Sequence, residues 1–247
     1  MRTVVLAAGT GSRLGEITKA RTKGMVPVKG KRLIDYLLDF LDIDMMDEVI
    51  VVGGFCYEDL RDHVALRKDP KIRVIENTEY LKGNIFTLVR ALREFDDDSF
   101  LVTNVDHIYP RVMFDTMKKS FSGVRAMCDF DRALGADDMK VQLSDDKKKV
   151  GRMSKQLDSF DCGYIGMTYV DKSMNSMYRE TVEKVIAKNG DKAVVENILH
   201  YLAEEGKNPP SICDLSGFGW YEIDTPDELY AAEGKIVEDP HFAHLFG

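Results

Sequence analysis

Two cationic side chains near the start of this chain and two carboxylates far along it have the types and placing that chemistry on phosphate would need. Arg13 sits in Leu6-Ala7-Ala8-Gly9-Thr10-Gly11-Ser12-Arg13-Leu14-Gly15, and Lys23 follows in TKGMVPVKGK. Glycines let the backbone come close to an anion and turn its N–H groups inward, and a guanidinium adds a planar, permanently charged fork suited to phosphate oxygens. Asp106 ends the apolar run SFLVTNV, and ligands in open α/β sheets gather at the carboxyl ends of strands. Asp224 closes GWYEI just before Thr225-Pro226, and on its own it reads better as a helix cap or turn residue.

Other phosphate loops fit less well. A Walker loop requires Lys directly before Ser or Thr at the end of the glycine run, and Ser12 is instead followed by Arg13. A dinucleotide fingerprint requires G-x-G-x-x-G, whereas Gly9, Gly11 and Gly15 are spaced one residue too far, with Arg13 where a small residue is wanted. A plain glycine turn with an incidental arginine stays open on the loop alone. Lys23 counts against it.

The elements that must hold these residues alternate through the first half. Thr3 to Ala8 reads as a buried parallel strand, Leu33 to Leu41 as a helix with Leu33, Ile34, Leu37, Leu38 and Leu41 on one face, and Glu48 to Gly54 as the next strand. Tyr57 to Leu66 is predicted helical, Lys71 to Asn77 a third strand, Asn84 to Phe95 a helix turning Ile85, Leu88, Val89 and Leu92 inward, and Ser99 to Asp106 a fourth strand. This is the pattern of βαβ units and a largely parallel sheet. Beyond about residue 123 the segments GVRAMCDF, DMKVQLS and GYIGMTYV predict an antiparallel extension, with the DDKKK run (Asp145 to Lys149) as a solvated hairpin tip. Helices are expected over Lys172 to Lys188 and Val194 to Glu205, a strand at GWYEI, and a final helix in PDELYAAEGKIV.

At 247 residues and 44% apolar composition, the chain suits one α/β domain spanning 1–247. The net charge of −8 argues against broad nucleic-acid or anionic-membrane binding, so any phosphate site is a local positive pocket. No apolar run reaches the ~18 residues of a membrane span or the form of a signal peptide, which predicts a cytoplasmic protein with no membrane insertion. Cys56, Cys128, Cys162 and Cys213 are widely spaced and read as reduced, mostly buried thiols. A homodimer is compatible with the sequence.

The pattern L-A-A-G-x-G-[ST]-R-L, with Lys23 about ten residues on inside TKGMVPVKGKRLI, resembles the nucleotidyltransferases that include the sugar-phosphate nucleotidylyltransferases. One departure is Thr22, where the family usually has Pro before its lysine. The resemblance implies a single Rossmann-like domain of GT-A type, with a nucleotide half to about 110, an acceptor half from about 111, and the antiparallel extension covering the acceptor side. It also reverses the reading of Asp224, because WYEIDTPDEL matches the family segment whose Asp, together with one after the fourth strand, here Asp106, holds magnesium. Two carboxylates suffice for Mg²⁺, which completes its shell with phosphate oxygens and water.

In such a site an acceptor phosphate or phosphonate oxygen attacks the α-phosphorus of a nucleoside triphosphate and pyrophosphate leaves. Lys23 would bridge the α-phosphate and the acceptor phosphate, while Arg13 and the amides of Gly9 to Ser12 would hold the β- and γ-phosphates, with Leu6, Ala7 and Ala8 at the strand end. No general base is required, since a phosphate monoester is already ionised near neutral pH. His107 is therefore read as a structural or acceptor-side hydrogen-bonding group.

The segment LKGNIFTLVRA lies where the family binds the base. Gly83, Asn84, Phe86 and Thr87 are similar to the cytidylyltransferase branch, as are DHIY, MKV and FDCGYIG. This implies CTP as donor and inositol 1-phosphate as first acceptor, ahead of phosphocholine, 2-aminoethylphosphonate and a sugar 1-phosphate. Lys140 would contact the acceptor phosphate, with a surface lysine on a strand as its alternative. The organic part would lie among Tyr109, Asp129, Arg132, Asp161, Tyr164 and Trp220. A nucleotide-sugar glycosyltransferase would not need Arg13 and Lys23 where they stand, and a regulatory relative would have lost phosphate ligands.

Overall fold

The structure, a computed structural model, describes residues 1–242 and Leu245. The chain runs β1 (Arg2–Ala7), β2 (Pro27–Val28), β3 (Lys31–Arg32), α1 (Leu33–Phe40), β4 (Glu48–Gly53), α2 (Tyr57–Ala65), β5 (Ile72–Glu76), α3 (Ile85–Leu92), β6 (Phe100–Asn104), β7 (His107–Ile108) and α4 (Arg111–Met117). It continues through β8 (Val124–Asp129), β9 (Lys140–Leu143), β10 (Val150–Ser154), β11 (Cys162–Val170), α5 (Asn175–Asn189), α6 (Glu196–Glu205), β12 (Ser211–Asp214), β13 (Tyr221–Glu222) and α7 (Pro226–Lys235).

The β-branched run of β1 is buried from Thr3 onward, as a strand covered on both faces must be. It lies between β4 and β6, parallel to both, and β5 extends the parallel set beyond β4. The chain moves from β1 outward to β4 and β5, then returns to β6 on the other side. This change of direction opens a crevice at the carboxyl ends of β1 and β6, where the glycine loop and Asp106 emerge. β11 then joins β6 antiparallel and carries β8 and β9, and β10 pairs with β9, forming the expected extension within the same sheet.

Alternation along the central strands separates two cores. Val4, Leu6, Ile50 and Val52 face α3, α5 and α6, whereas Val5, Ala7, Val49 and Val51 face α1, α2 and α4. Each Val, Leu or Ile among them, fully removed from water, stabilises by about 1.5–3 kcal/mol. A third, smaller cluster of Leu14, Val26, Leu33, Ile108, Ile223 and Ile236 fastens the glycine-loop turn and α7 to the β7–β13 ladder.

Several boundaries differ from expectation. The strand at GWYEI shrinks to Tyr221–Glu222, because Gly217 and Gly219 have φ 82° and 70° and turn the chain just before it. The short, mixed strands β10 and β12 carry too little apolar periodicity to stand out in sequence; β12 runs parallel to β8. The DDKKK run is an exposed turn between β9 and β10, with Lys147 in the left-handed region. Cys128, Cys162 and Cys213 are buried free thiols, and Cys56 is partly exposed. Among the described residues no helix is long and apolar enough to cross a membrane.

Candidate active site

The glycine loop departs from β1 at Ala8 and enters a 3₁₀ turn over Ser12–Thr18. Gly11 has φ 64°, and a Cβ there would stand 2.9 Å from Thr18 Cγ2 and 3.2 Å from Lys23 Cβ, so the turn admits only glycine. A Cβ on Gly9 would meet nothing within 4 Å, which leaves a backbone surface open to a ligand. Thr22 Oγ1 donates to the carbonyls of Ala7 at 3.1 Å and Gly9 at 3.3 Å. A proline at 22 could not do this, and the hydroxyl ties the Lys23 turn directly to the loop.

Lys23 is 8% exposed, and its ammonium lies between two carboxylates, donating to Asp106 Oδ2 at 2.6 Å and to Asp224 Oδ1. Burial pulls the lysine's proton affinity down, but the charges of Asp106 and Asp224 override it and leave the pKa raised. Burial likewise works against ionisation of Asp106, and Lys23 and His107 overcome it, so its carboxyl is held far below the usual carboxylate range. Arg13 donates to Asp224 and, at 3.4 Å, to Asp137. Asp224 is free for these contacts because it is not the helix cap. Thr225 caps α7, in a capping box with Glu228, whose carboxylate also accepts from the Asp224 N–H at 2.8 Å.

Two cavities meet at this ion cluster. One, of about 140 Å³, is lined by Leu6, Ala8, Gly9, Lys23, Asn84 and Thr87 together with Asn104 to Asp106. The other, of about 210 Å³, shares Asn84, Asn104 and Asp106 and reaches Arg13, Lys155, Tyr164, Glu196 and Glu222. Loop residues Asp137, Asp138 and Met139 also line it. Burial raises the carboxyls of Glu196 and Glu222 above their ordinary values. His107 Nδ1 lies 2.6 Å from Asp106 Oδ1 and must be the donor there, since the ionised carboxylate only accepts. Burial lowers the histidine's proton affinity, but Glu222 and Asp106 outweigh it and raise the pKa.

The structure brings together Arg13, Lys23, Asp106, Asp224 and the strand-end residues, with Asn84, Thr87 and Tyr164 in the cavity walls, while Gly83 and the other expected acceptor contacts fall elsewhere. Gly83 lines neither cavity. Its N–H donates to Asp191 O at 2.7 Å, and a Cβ there would lie 1.8 Å from Ala193 O, so it is glycine for packing. Asn84 does not cap α3 with its side chain; its Oδ1 accepts from Val195 N–H at 2.9 Å. Thr87 is held by Asn77 Nδ2 at 3.1 Å. Lys140 donates to Lys155 O at 2.7 Å and leaves the cavity wall to Lys155 itself. Asp161 accepts from Leu143 N–H and pairs with Lys147 at 2.6 Å, bracing the hairpin. Asp129 accepts from Trp220 Nε1 at 2.8 Å, and Tyr109, 2% exposed, donates to Ile165 O. Of the expected acceptor set, only Tyr164 lines the cavity.

Sequence reasoning missed Asn104, Lys155, Glu196 and Glu222. Two had a signal: Asn104 and Glu222 each lie two residues before a key Asp at a strand end, which places them on the same side of the chain. Lys155 and Glu196 had none, because only the fold of the acceptor half carries them to the crevice.

Residues 3–131, just over half of the chain, match the MobA-like NTP transferase domain, and the chain belongs to that family. A bifunctional IPC transferase and DIPP synthase from Thermococcus kodakarensis is 29% identical over 240 residues, covering 96% of this chain and 50% of its own. The choline-phosphate cytidylyltransferase of Streptococcus pneumoniae is 26% identical over 200 residues, covering 75% of this chain and 86% of that protein. Among solved structures, the inositol-1-phosphate CTP transferase from T. maritima superposes with a TM-score of 0.78 at 18% identity, over 96% of each chain. The chain spans about half the length of the first of these relatives.

Proposed function

From membership of a nucleotidyltransferase family as premise, we propose that this chain transfers CMP from CTP to a small phosphorylated alcohol or a phosphonate, releasing pyrophosphate, with inositol 1-phosphate as the leading acceptor. The observation that carries the reading is the ammonium of Lys23 held between Asp106 and Asp224 where the two cavities meet. One phosphate bound in each cavity would meet at that ammonium.

An acceptor oxygen attacks the α-phosphorus, the bond from that phosphorus to the bridging oxygen of the β-phosphate breaks, and pyrophosphate departs with the electron pair. Both reactants are anionic, so the protein's work is to offset repulsion and developing charge. Lys23 turns from the two carboxylates toward the α-phosphate and the incoming phosphate. Arg13 and the open amides from Gly9 to Ser12 hold the departing phosphates. Lys155 takes the acceptor phosphate in place of Lys140, whose ammonium is already committed to a backbone carbonyl.

The residues present fit a magnesium ion, since Asp106 and Asp224 converge on one cation and offer hard oxygen donors without soft ligands. Magnesium bound there would neutralise phosphate charge between nucleotide and carboxylates. A second acceptor reading, phosphocholine or an aminoalkylphosphonate, is favoured by the carboxylates of Glu196 and Glu222 in the cavity wall, which suit an ammonium as well as a polyol's hydroxyls.

Pyrophosphate release, measured with CTP, UTP, dTTP and ATP against inositol 1-phosphate, phosphocholine, 2-aminoethylphosphonate and glucose 1-phosphate, with and without Mg²⁺, tests the proposal. CTP- and Mg²⁺-dependent release with one of the first three supports it. Release from another triphosphate alone, or none with any pair, overturns it. In the same assay Lys155→Gln should raise the acceptor KM about tenfold or more, the loss of one charged hydrogen bond. Lys140→Gln should leave that KM within about twofold.

A further inference from the structure

Asp106 and Asp224 are set by a short ladder and a cluster of rings that no phosphate contact explains. β7 and β13 pair antiparallel, with Tyr221 opposite Ile108 and Glu222 opposite His107. Asp106 immediately precedes one strand, and Asp224 follows the other by two residues. Ile223 N–H donates to Asp106 O at 2.9 Å, so the backbone bearing one carboxylate is hydrogen-bonded to the backbone bearing the other.

On this ladder the imidazole of His107 packs against two rings that also meet each other, Tyr109 and Trp220 lying 6.4 Å apart. Trp220 stacks on it at 5.3 Å and 19°, and Tyr109 at 5.5 Å and 18°. Arg132 covers the outer face of Trp220 at 4.0 Å, and Asp129 fixes the indole N–H. From β11 comes Gly166, with φ 77°, where a Cβ would stand 2.9 Å from His107 Cε1. The sheet therefore gives up a side chain to seat this ring.

A surface histidine in contact with one carboxylate would need no such housing. A histidine whose ring is packed against Trp220 and Tyr109, with Gly166 close on Cε1, and whose Nδ1–H points at Asp106, holds that carboxylate with its other oxygen aimed at Lys23. We infer that His107, packed against Trp220 and Tyr109, is a positioning residue that presents Asp106 to the cation shared with Asp224, so that the metal affinity of the free protein depends on a ring that does not itself bind the metal. This rests on the proposed role of the two aspartates. Removing a group that orients a metal-binding side chain typically costs about 10–100-fold in affinity.

Trp220 is the chain's one tryptophan and lies against His107, so its fluorescence can follow the site without nucleotide or turnover. Mn²⁺ titrated into the full chain, with free Mn²⁺ read in parallel by electron paramagnetic resonance, should bind saturably, and Asp224→Asn should abolish that binding. His107→Phe keeps the stack and loses the donor, and it should weaken Mn²⁺ about 10–100-fold at unchanged circular dichroism. His107→Asn keeps a donor on a shorter side chain and should recover part of the loss; it also carries the test if the phenylalanine variant does not fold. Binding within threefold of wild type in the His107 variants, with Asp224→Asn inactive in binding, overturns the positioning role and leaves the metal pair standing. Wild-type binding by Asp224→Asn overturns the metal pair itself.

Discussion

At Lys23 one ammonium satisfies two part-buried carboxylates, which makes its removal different from an ordinary truncation. Lys23→Ala would take away the cation that Asp106 and Asp224 share, leaving Arg13 on one and His107 on the other, and removing one partner from such a cluster costs up to about 3–5 kcal/mol. The expected result is a depressed melting temperature that millimolar Mg²⁺ or Mn²⁺ restores, with kcat still lowered about 10²–10³-fold because the metal cannot replace a charge aimed at the transition state. Thermal melts with and without metal, alongside turnover, check both halves. Glu196 offers a test by pH. Burial raises its carboxyl, so the native state holds the proton more tightly than the unfolded chain, and the stability this gives is complete at low pH and drains as pH rises through the folded value. Glu196→Gln should therefore melt higher than wild type near pH 8 and close to it near pH 4.

Among the elements, the first half was legible because its signals are strong. β1, α1, β4 and α3 carry unbroken or periodic apolar runs, and the glycine loop and Asp106 follow from where those runs stop. The acceptor half was less so. β10 and β12 are short and mixed, and expected acceptor residues such as Asp161 and Asp129 turn out to brace a hairpin and a tryptophan, because a carboxylate near a cavity in sequence is often nearer a backbone N–H in space. Gly83 shows the same lesson. Its sequence context resembles a nucleotide contact, while its place in the fold is a tight packing contact between the turn before α3 and the 190–193 turn. Gly83→Ala would force those backbones apart, and overpacking of this kind costs about 1–3 kcal/mol. A lowered urea midpoint should accompany a raised CTP KM, since Asn84 moves with it.

Over the whole molecule, two large cores stabilise the sheet, while the small third cluster secures the part that carries Asp224. Substitutions in the two kinds of core should differ in consequence. Ile50→Ala and Ile223→Ala each empty a fully buried site and should each cost about 2–5 kcal/mol in chemical denaturation. At a temperature where both variants remain folded, Ile50→Ala should keep its Mn²⁺ affinity, while Ile223→Ala, between the ladder and Asp224, should lose it. The bond between Lys23 and Asp224 spans 201 residues of sequence. Synthesis proceeds at about 5–20 residues per second, and domains generally fold as units. The glycine loop and Lys23 are therefore made many seconds before the second aspartate. Until then Lys23 has at most one of its two carboxylate partners, so the ion cluster closes only as the last ladder and α7 take their places.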